Sequence, residues 1–474
     1  MTMDSGMLLA GLLLSTCLLL WGLWMVLLKL KAKLRYPPVE SGWIPWLGCA
    51  VAFGKAPLLF IQQTKEKLGD IFTIHAAGKM MTFVTNPRDY HHYFTTTTTD
   101  FQAAVQPFTM RAAGVPAQSF FKHHSAIHDT IKGQLIPSYL TSMCPSLSAE
   151  LNNSLSCHGN SGEAELMDFV RDPMFEAVVR QLFGKENVPA TRPEMRSFMH
   201  KFIKYDADFE YGAELPEIFL REWRDSRNWL LSAFKHVISR VKAGKSEEKK
   251  PTVLEHLLRM VDPPSAHNYA LLLLWASQAN AIPMVFWTMA YILADPEVYK
   301  SVRKEMDEAL PQHTGGDDFV PVQESALKQM PLIKRCVLEA VRLHAPGMIT
   351  RKVVRTHSIN GYTVPAGHLL MLSPYWSHRN PHKFPEPEKF KPDRWLECDL
   401  DKAQLLDGFV GFGGGRYQCP GRWFALMEMQ LFIAMLLQQF NLELLDPLPL
   451  PSPLHLVGTQ QPMETCRVKF SRRT

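Results

Sequence analysis

None of the eight cysteines stands in a Cys-x-x-Cys pair. Such scatter over a long chain is not a disulfide framework and points to a reducing compartment. The sequence also lacks internal repeats and long polar tracts, which excludes a solenoid or an extended disordered tail. Its one low-complexity run, residues 95–99, reads as a loop or a frayed edge. Excess charge of one sign is scarce. The formal net charge is +5, and Lys29, Lys31, Lys33 and Arg35 supply four of it, so the rest is close to neutral. Nucleic acid needs a basic footprint and is excluded as a partner; a local basic patch for a protein partner stays open.

Residues 7–28 contain no Asp, Glu, Lys or Arg. About 20 such residues span the hydrocarbon layer as a helix. A cleaved signal peptide would carry its positive charges before the apolar run. Here Asp4 precedes the run and the basic cluster follows it, so the segment reads as an uncleaved anchor with the body on the cytosolic side. The resulting division is a lumenal 1–6, a transmembrane helix at 7–28, a basic and proline-rich linker at 29–48, and a cytosolic catalytic body at 49–474.

Across 474 positions, 46% apolar and 20% charged residues allow a large core. Short strands are expected at 71–74 and 82–85 with Gly78 between them, around Val353, and at 362–364. Helical patterning covers most of 168–260, then 269–293, 332–343 and 421–440, with a charged loop at 242–250. The fold class is therefore mainly α with small β-sheets (α+β).

The most informative segment is Phe412-Gly413-Gly414-Gly415-Arg416-Tyr417-Gln418-Cys419-Pro420-Gly421. Glycines let a backbone approach a flat ligand closely. The loop then delivers Cys419 to a helix start, where backbone N–H groups favour a thiolate. Pro420 has no N–H, so the donors to sulfur are expected from Gly421 and Arg422. An ordinary buried cysteine after a glycine turn is the competing reading.

This loop resembles the haem-binding signature of the cytochrome P-450 family, Phe-x-x-Gly-x-Arg-x-Cys-x-Gly. Phe412, Gly415, Cys419 and Gly421 match, while Tyr417 stands where the family has Arg. The resemblance implies the cytochrome P-450 fold and haem b, with Cys419 as axial thiolate ligand. Glu339-x-x-Arg342 and the later Arg394 match an ion-pair network bracing the haem pocket. Arg351 matches an arginine that reaches a haem propionate. The family's Trp-x-x-x-Arg is missing; His124, His128 and Lys132 lie in that region, His124 and Lys132 being candidates for the same contact and His128 reading as an exposed helix face.

The family's oxygen-site pattern, Ala-Gly-x-Asp-Thr, reads here Ala276-Ser277-Gln278-Ala279-Asn280, so Ala279 replaces the acid and Asn280 the alcohol. Pro283 frees the Ala279 carbonyl, which with Asn280 is expected to hold an ordered water. The Asn, Pro283 and Phe286-Trp287 resemble the branch holding sterol 7α- and 12α-hydroxylases and prostacyclin synthase. That likeness implies hydroxylation of an oxysterol in bile-acid synthesis, at the endoplasmic reticulum membrane. Electrons would come from NADPH through a separate reductase carrying FAD and FMN. Electron-independent isomerisation of a lipid peroxide is the alternative. By family position Val105, Gln106, Gln278, Ala281, Ile349, Val457 and Gly458 line the substrate pocket.

Overall fold

Two hairpins show how local sequence sets the sheets. Asn360-Gly361 takes positive φ at both residues and joins β7 (His357–Ile359) to β8 (Tyr362–Val364). Positive φ at both central residues is the turn that matches strand twist, and Asn-Gly favours it. Ala77-Gly78 does the same between β2 (Ile71–Ala76) and β3 (Lys79–Val84), and a Cβ on Gly78 would lie 2.6 Å from the Trp46 indole nitrogen. The computed structural model describes residues 35–473 except 243–250, 311–318 and 401–407, together with Ser15, Thr16, Leu18, Leu19 and Trp21. The anchor expected at 7–28 otherwise lies outside the described residues, as does nearly all of the charged loop expected at 242–250.

The main sheet runs β1 (Val39–Glu40), β2, β3, β9 (Leu369–Leu372), β6 (Ile349–Val353) and β4 (Thr99–Asp100) in spatial order. β1 falls inside the segment read as a linker, yet it pairs with β2, so the folded body begins before residue 49. A three-stranded sheet orders β10 (Phe440–Leu444), β11 (Arg467–Arg472) and β5 (Ser161–Glu165).

Helices form the rest. Pro137–Leu155, Leu166–Phe183, Ala281–Ala294, Pro331–His344 and Arg422–Gln439 pack around one core. Arg422–Gln439 and Ala281–Ala294 are buried on nearly every face, so each reads as apolar all round rather than as a stripe. The stretch 263–294 is apolar and long enough to cross a membrane, but 72% of its most apolar window is buried inside the body.

The helix expected at 269–293 is interrupted. It forms as Ala266–Gln278 and Ala281–Ala294, with a turn at Ala279–Asn280. Pro283 cannot donate to the Ala279 carbonyl, and the ladder resumes only with Met284 N–H on the Asn280 carbonyl at 3.2 Å.

Candidate active site

The Cys loop is shaped by its glycines. Gly413 and Gly415 take φ of 73° and 68°, a region costly for other residues. A Cβ on Gly414 would lie 2.8 Å from the Phe94 ring, and one on Gly411 would lie 2.6 Å from Val341. Cys419 N–H donates to the Phe412 carbonyl at 2.9 Å and closes the loop. The helix Arg422–Gln439 starts directly after it.

Cys419 has accessible surface, yet desolvation is the largest influence on its thiol and raises its pKa. Together these describe a sulfur facing an internal cavity. The Gly421 N–H donates to it and the Arg422 charge lies near; both oppose the rise, and Glu428 adds to it. Gly421 thus supplies the expected backbone donor. Arg422 acts through its charge instead, while its guanidinium holds the Gln418 side chain.

Behind the loop lies a buried ionic network. Glu339 and Arg342 are fully buried and paired twice, Arg342 Nε and Nη2 donating to the carboxylate at 2.9 and 2.8 Å. Arg394 Nε, Lys391 N–H and Trp395 Nε1 also donate to Glu339, at 3.0, 3.0 and 3.1 Å. Arg342 further donates to the carbonyls of His378, Pro387 and Lys389. These three charged groups knit separate segments and sit behind the Cys loop, so they brace the site rather than face its opening.

His378, absent from the sequence reading, couples the network to the loop. Its Nδ1–H donates to the Arg342 carbonyl, and its Nε2 accepts from Val410 N–H at 3.1 Å. Burial, then the Arg342 charge, lowers its pKa to about 3, so the ring is neutral. Val410 in turn accepts from Gly413 N–H.

The residues present fit a haem. Arg351 is buried on β6 between the Tyr93 and Phe94 rings, and its Nε has no partner. No carboxylate among the described residues pairs with it, and a Cβ on Gly415 would lie 3.7 Å from its Nη2. A buried guanidinium without an anion is expensive, and an anionic carboxylate of the ligand beside the Cys loop would satisfy it. The soft thiolate, the glycine cradle and this cation suit an iron porphyrin.

Tyr417, standing in place of the family's arginine, stacks on Phe101 at 4.6 Å and accepts from Gln102 Nε2 at 2.9 Å. His124 packs beside it, Nδ1 buried without a partner. Burial, then the neighbouring His128, lowers the His124 pKa to about 4. One further expectation is corrected. His128 is not on an exposed face; its side chain is largely buried and Nε2 bonds the Gln418 carbonyl, next to Cys419. Lys132, one turn on, is exposed and makes no ion pair among the described residues.

Asn280 is exposed at the helix break, with Ala279 buried beside it. Its Oδ1 accepts from Thr459 N–H at 3.0 Å. Gly458 lies alongside, a Cβ there reaching 3.7 Å from that oxygen. Ile349 flanks the Cys loop, 3.9 Å from a Cβ built on Gly413, while Val105 and Gln106 are half-buried on the helix Phe101–Ala113. Val457 is exposed on the loop and Ala281 is buried. Gln278 is not brought to the lining. It is 1% exposed, because positions 276 and 280 form the open face of the helix and 278 points away.

The family model described as cytochrome P450 matches residues 37–467. The human protein named 24-hydroxycholesterol 7-alpha-hydroxylase is 42% identical over 94% of this chain and 96% of its own. The mouse protein of the same name is 43% identical over 92% of this chain and 93% of its own. A solved structure, retinoic acid bound cyanobacterial CYP120A1, superposes with a TM-score of 0.75 over 93% of this chain and 100% of that one. At 22% identity it bears on the fold alone.

Proposed function

The chain belongs to the cytochrome P450 family, and from that premise we propose that it hydroxylates an oxysterol, 24-hydroxycholesterol at the 7α carbon, in cholesterol catabolism toward bile acids. The observation carrying this reading is identity above 40% across more than nine-tenths of the chain to two proteins bearing that activity in their names. The same likeness favours hydroxylation over electron-independent isomerisation.

Haem held at the Cys loop would supply reductive activation of dioxygen, with electrons from NADPH through a separate FAD- and FMN-carrying reductase. Cys419 Sγ would hold the iron, with the Gly421 N–H on the sulfur. Phe412 and Gly415 shape the loop, and Arg351 would pair with a propionate. Glu339, Arg342 and Arg394 keep the loop's support rigid through His378. Asn280, with the freed Ala279 carbonyl, would orient a water at the reacting centre. Val105, Gln106, Ala281, Ile349, Val457 and Gly458 would line the space for an apolar ring system. The apolar segment 7–28 would anchor the enzyme in the endoplasmic reticulum, where sterols partition.

The test is incubation with reductase, NADPH and an oxysterol panel, products being identified by mass spectrometry. A 7α-hydroxylated product that needs both NADPH and reductase is expected. Rearrangement of an endoperoxide without reductant, with every oxysterol untouched, would overturn the proposal.

A further inference from the structure

Three elements far apart in sequence meet at the segment Leu456–Gln460. From one side comes Glu210, on the short helix Phe209–Gly212. Its carboxylate accepts from three successive backbone N–H groups: Leu456 at 3.0 Å, Val457 at 2.9 Å and Gly458 at 3.1 Å. Successive N–H groups converging on one carboxylate form a tight, charge-assisted grip. From the other side Trp287 Nε1 donates to the Gln460 carbonyl at 2.7 Å, and Gln460 N–H donates to the His344 carbonyl at 3.0 Å. The Trp287 and His344 rings stack 3.9 Å apart beneath that end.

Thr459 lies between these clamps. Its N–H points at Asn280 Oδ1 at 3.0 Å, and its hydroxyl lies 3.3 Å from both the carbonyl and Oδ1 of Asn280. A backbone N–H can only donate, so the atom it meets is the amide oxygen. That fixes the carboxamide: the oxygen is turned to Thr459 and the NH2 remains for the open side of the helix break.

We infer that Thr459, in the segment whose preceding N–H groups the Glu210 carboxylate holds, is the positioning residue of Asn280 and makes it a hydrogen-bond donor at the reacting centre. The inference rests on the hydroxylase reading above, because it assigns that reaction a polar group at Asn280. Glu210 also ties the short helix Phe209–Gly212 to this orientation, so that helix and the amide move together.

Two kinds of measurement test it on full-length, haem-loaded protein. The first is hydrogen exchange of the 456–460 amides, which needs no turnover. Glu210→Ala should speed exchange at Leu456 to Thr459 by about ten-fold or more, the loss of a charge-assisted bond, and Glu210→Gln should fall between. The second is the ratio of sterol hydroxylated to NADPH consumed, set against the sterol dissociation constant from spectral titration. Asn280→Asp keeps the oxygen for Thr459 but replaces the donor with an acceptor. Its coupling should fall at least about ten-fold, with sterol affinity within about three-fold of the parent.

An unaltered carbon monoxide difference spectrum identifies folded variants, and Glu210→Gln serves if Glu210→Ala does not fold. Parental exchange in both Glu210 variants would overturn the latch. Parental coupling in Asn280→Asp would overturn the donor role. Both outcomes differ from a parent enzyme that hydroxylates no sterol, which would sink the hydroxylase reading itself.

Discussion

Replacing Glu339 with alanine removes the buried carboxylate that Arg342 and Arg394 share. Five N–H donors then lose their acceptor: two from Arg342 and one each from Arg394, Lys391 and Trp395. Arg342 keeps its three carbonyl acceptors but loses its counter-charge at zero exposure. Leaving one member of a buried ion pair alone costs about 3–5 kcal/mol. Against a total stability of about 5–15 kcal/mol, that is a large share. Arg394→Ala should cost less, about 1–3 kcal/mol, because its side chain is partly exposed and Glu339 keeps its pair with Arg342. Urea unfolding of the three proteins, followed by far-ultraviolet circular dichroism, measures the order. The cost should appear in haem retention too, since the network reaches the Cys loop through His378 and Val410. A Glu339→Ala protein within about 1 kcal/mol of the parent would refute this reasoning.

The remaining predictions follow from other groups in the site. Arg351→Met should hasten haem transfer to an apomyoglobin acceptor by about 10- to 100-fold, through loss of a charge-assisted contact; an unchanged rate would mean Arg351 has no anion to hold. Gly414→Ala keeps an allowed extended backbone but drives a Cβ to 2.8 Å from Phe94, so the Soret-to-protein absorbance ratio should drop, and an unaltered ratio would count against the cradle. His378 is neutral in the fold, its pKa depressed from 6.5 to about 3, so its contribution is complete above pH 6.5 and is lost as pH falls toward 3. At pH 4.5 that loss is about 3 kcal/mol, and His378→Gln should flatten the acid limb of the stability profile by that amount.

What could be read from sequence was local or periodic. The Cys loop carries its chemistry in ten consecutive residues, and Glu339 and Arg342 share a helix face at a spacing of three. Pro283 frees the Ala279 carbonyl through backbone chemistry alone, although the periodicity reads as continuous helix across the break it accompanies at Ala279–Asn280. The failures are errors of helical phase or of long-range contact. Gln278 belongs to the buried side of a helix whose open side carries 276 and 280. His128 packs against Tyr417, where a polar residue looks like a surface residue until the ring beside it is known. Thr459 meets Asn280 across 179 residues, and Glu210 meets Gly458 across 248, so no window of sequence shows either contact.

The central claim is that the thiolate of Cys419 holds the haem iron, and the reduced carbon monoxide difference spectrum tests it most directly. The parent protein should show the thiolate-ligated band, and Cys419→Ser, matched to the parent in circular dichroism, should lack it and form no hydroxylated sterol. A folded Cys419→Ser protein that retained the band and the product would contradict the account.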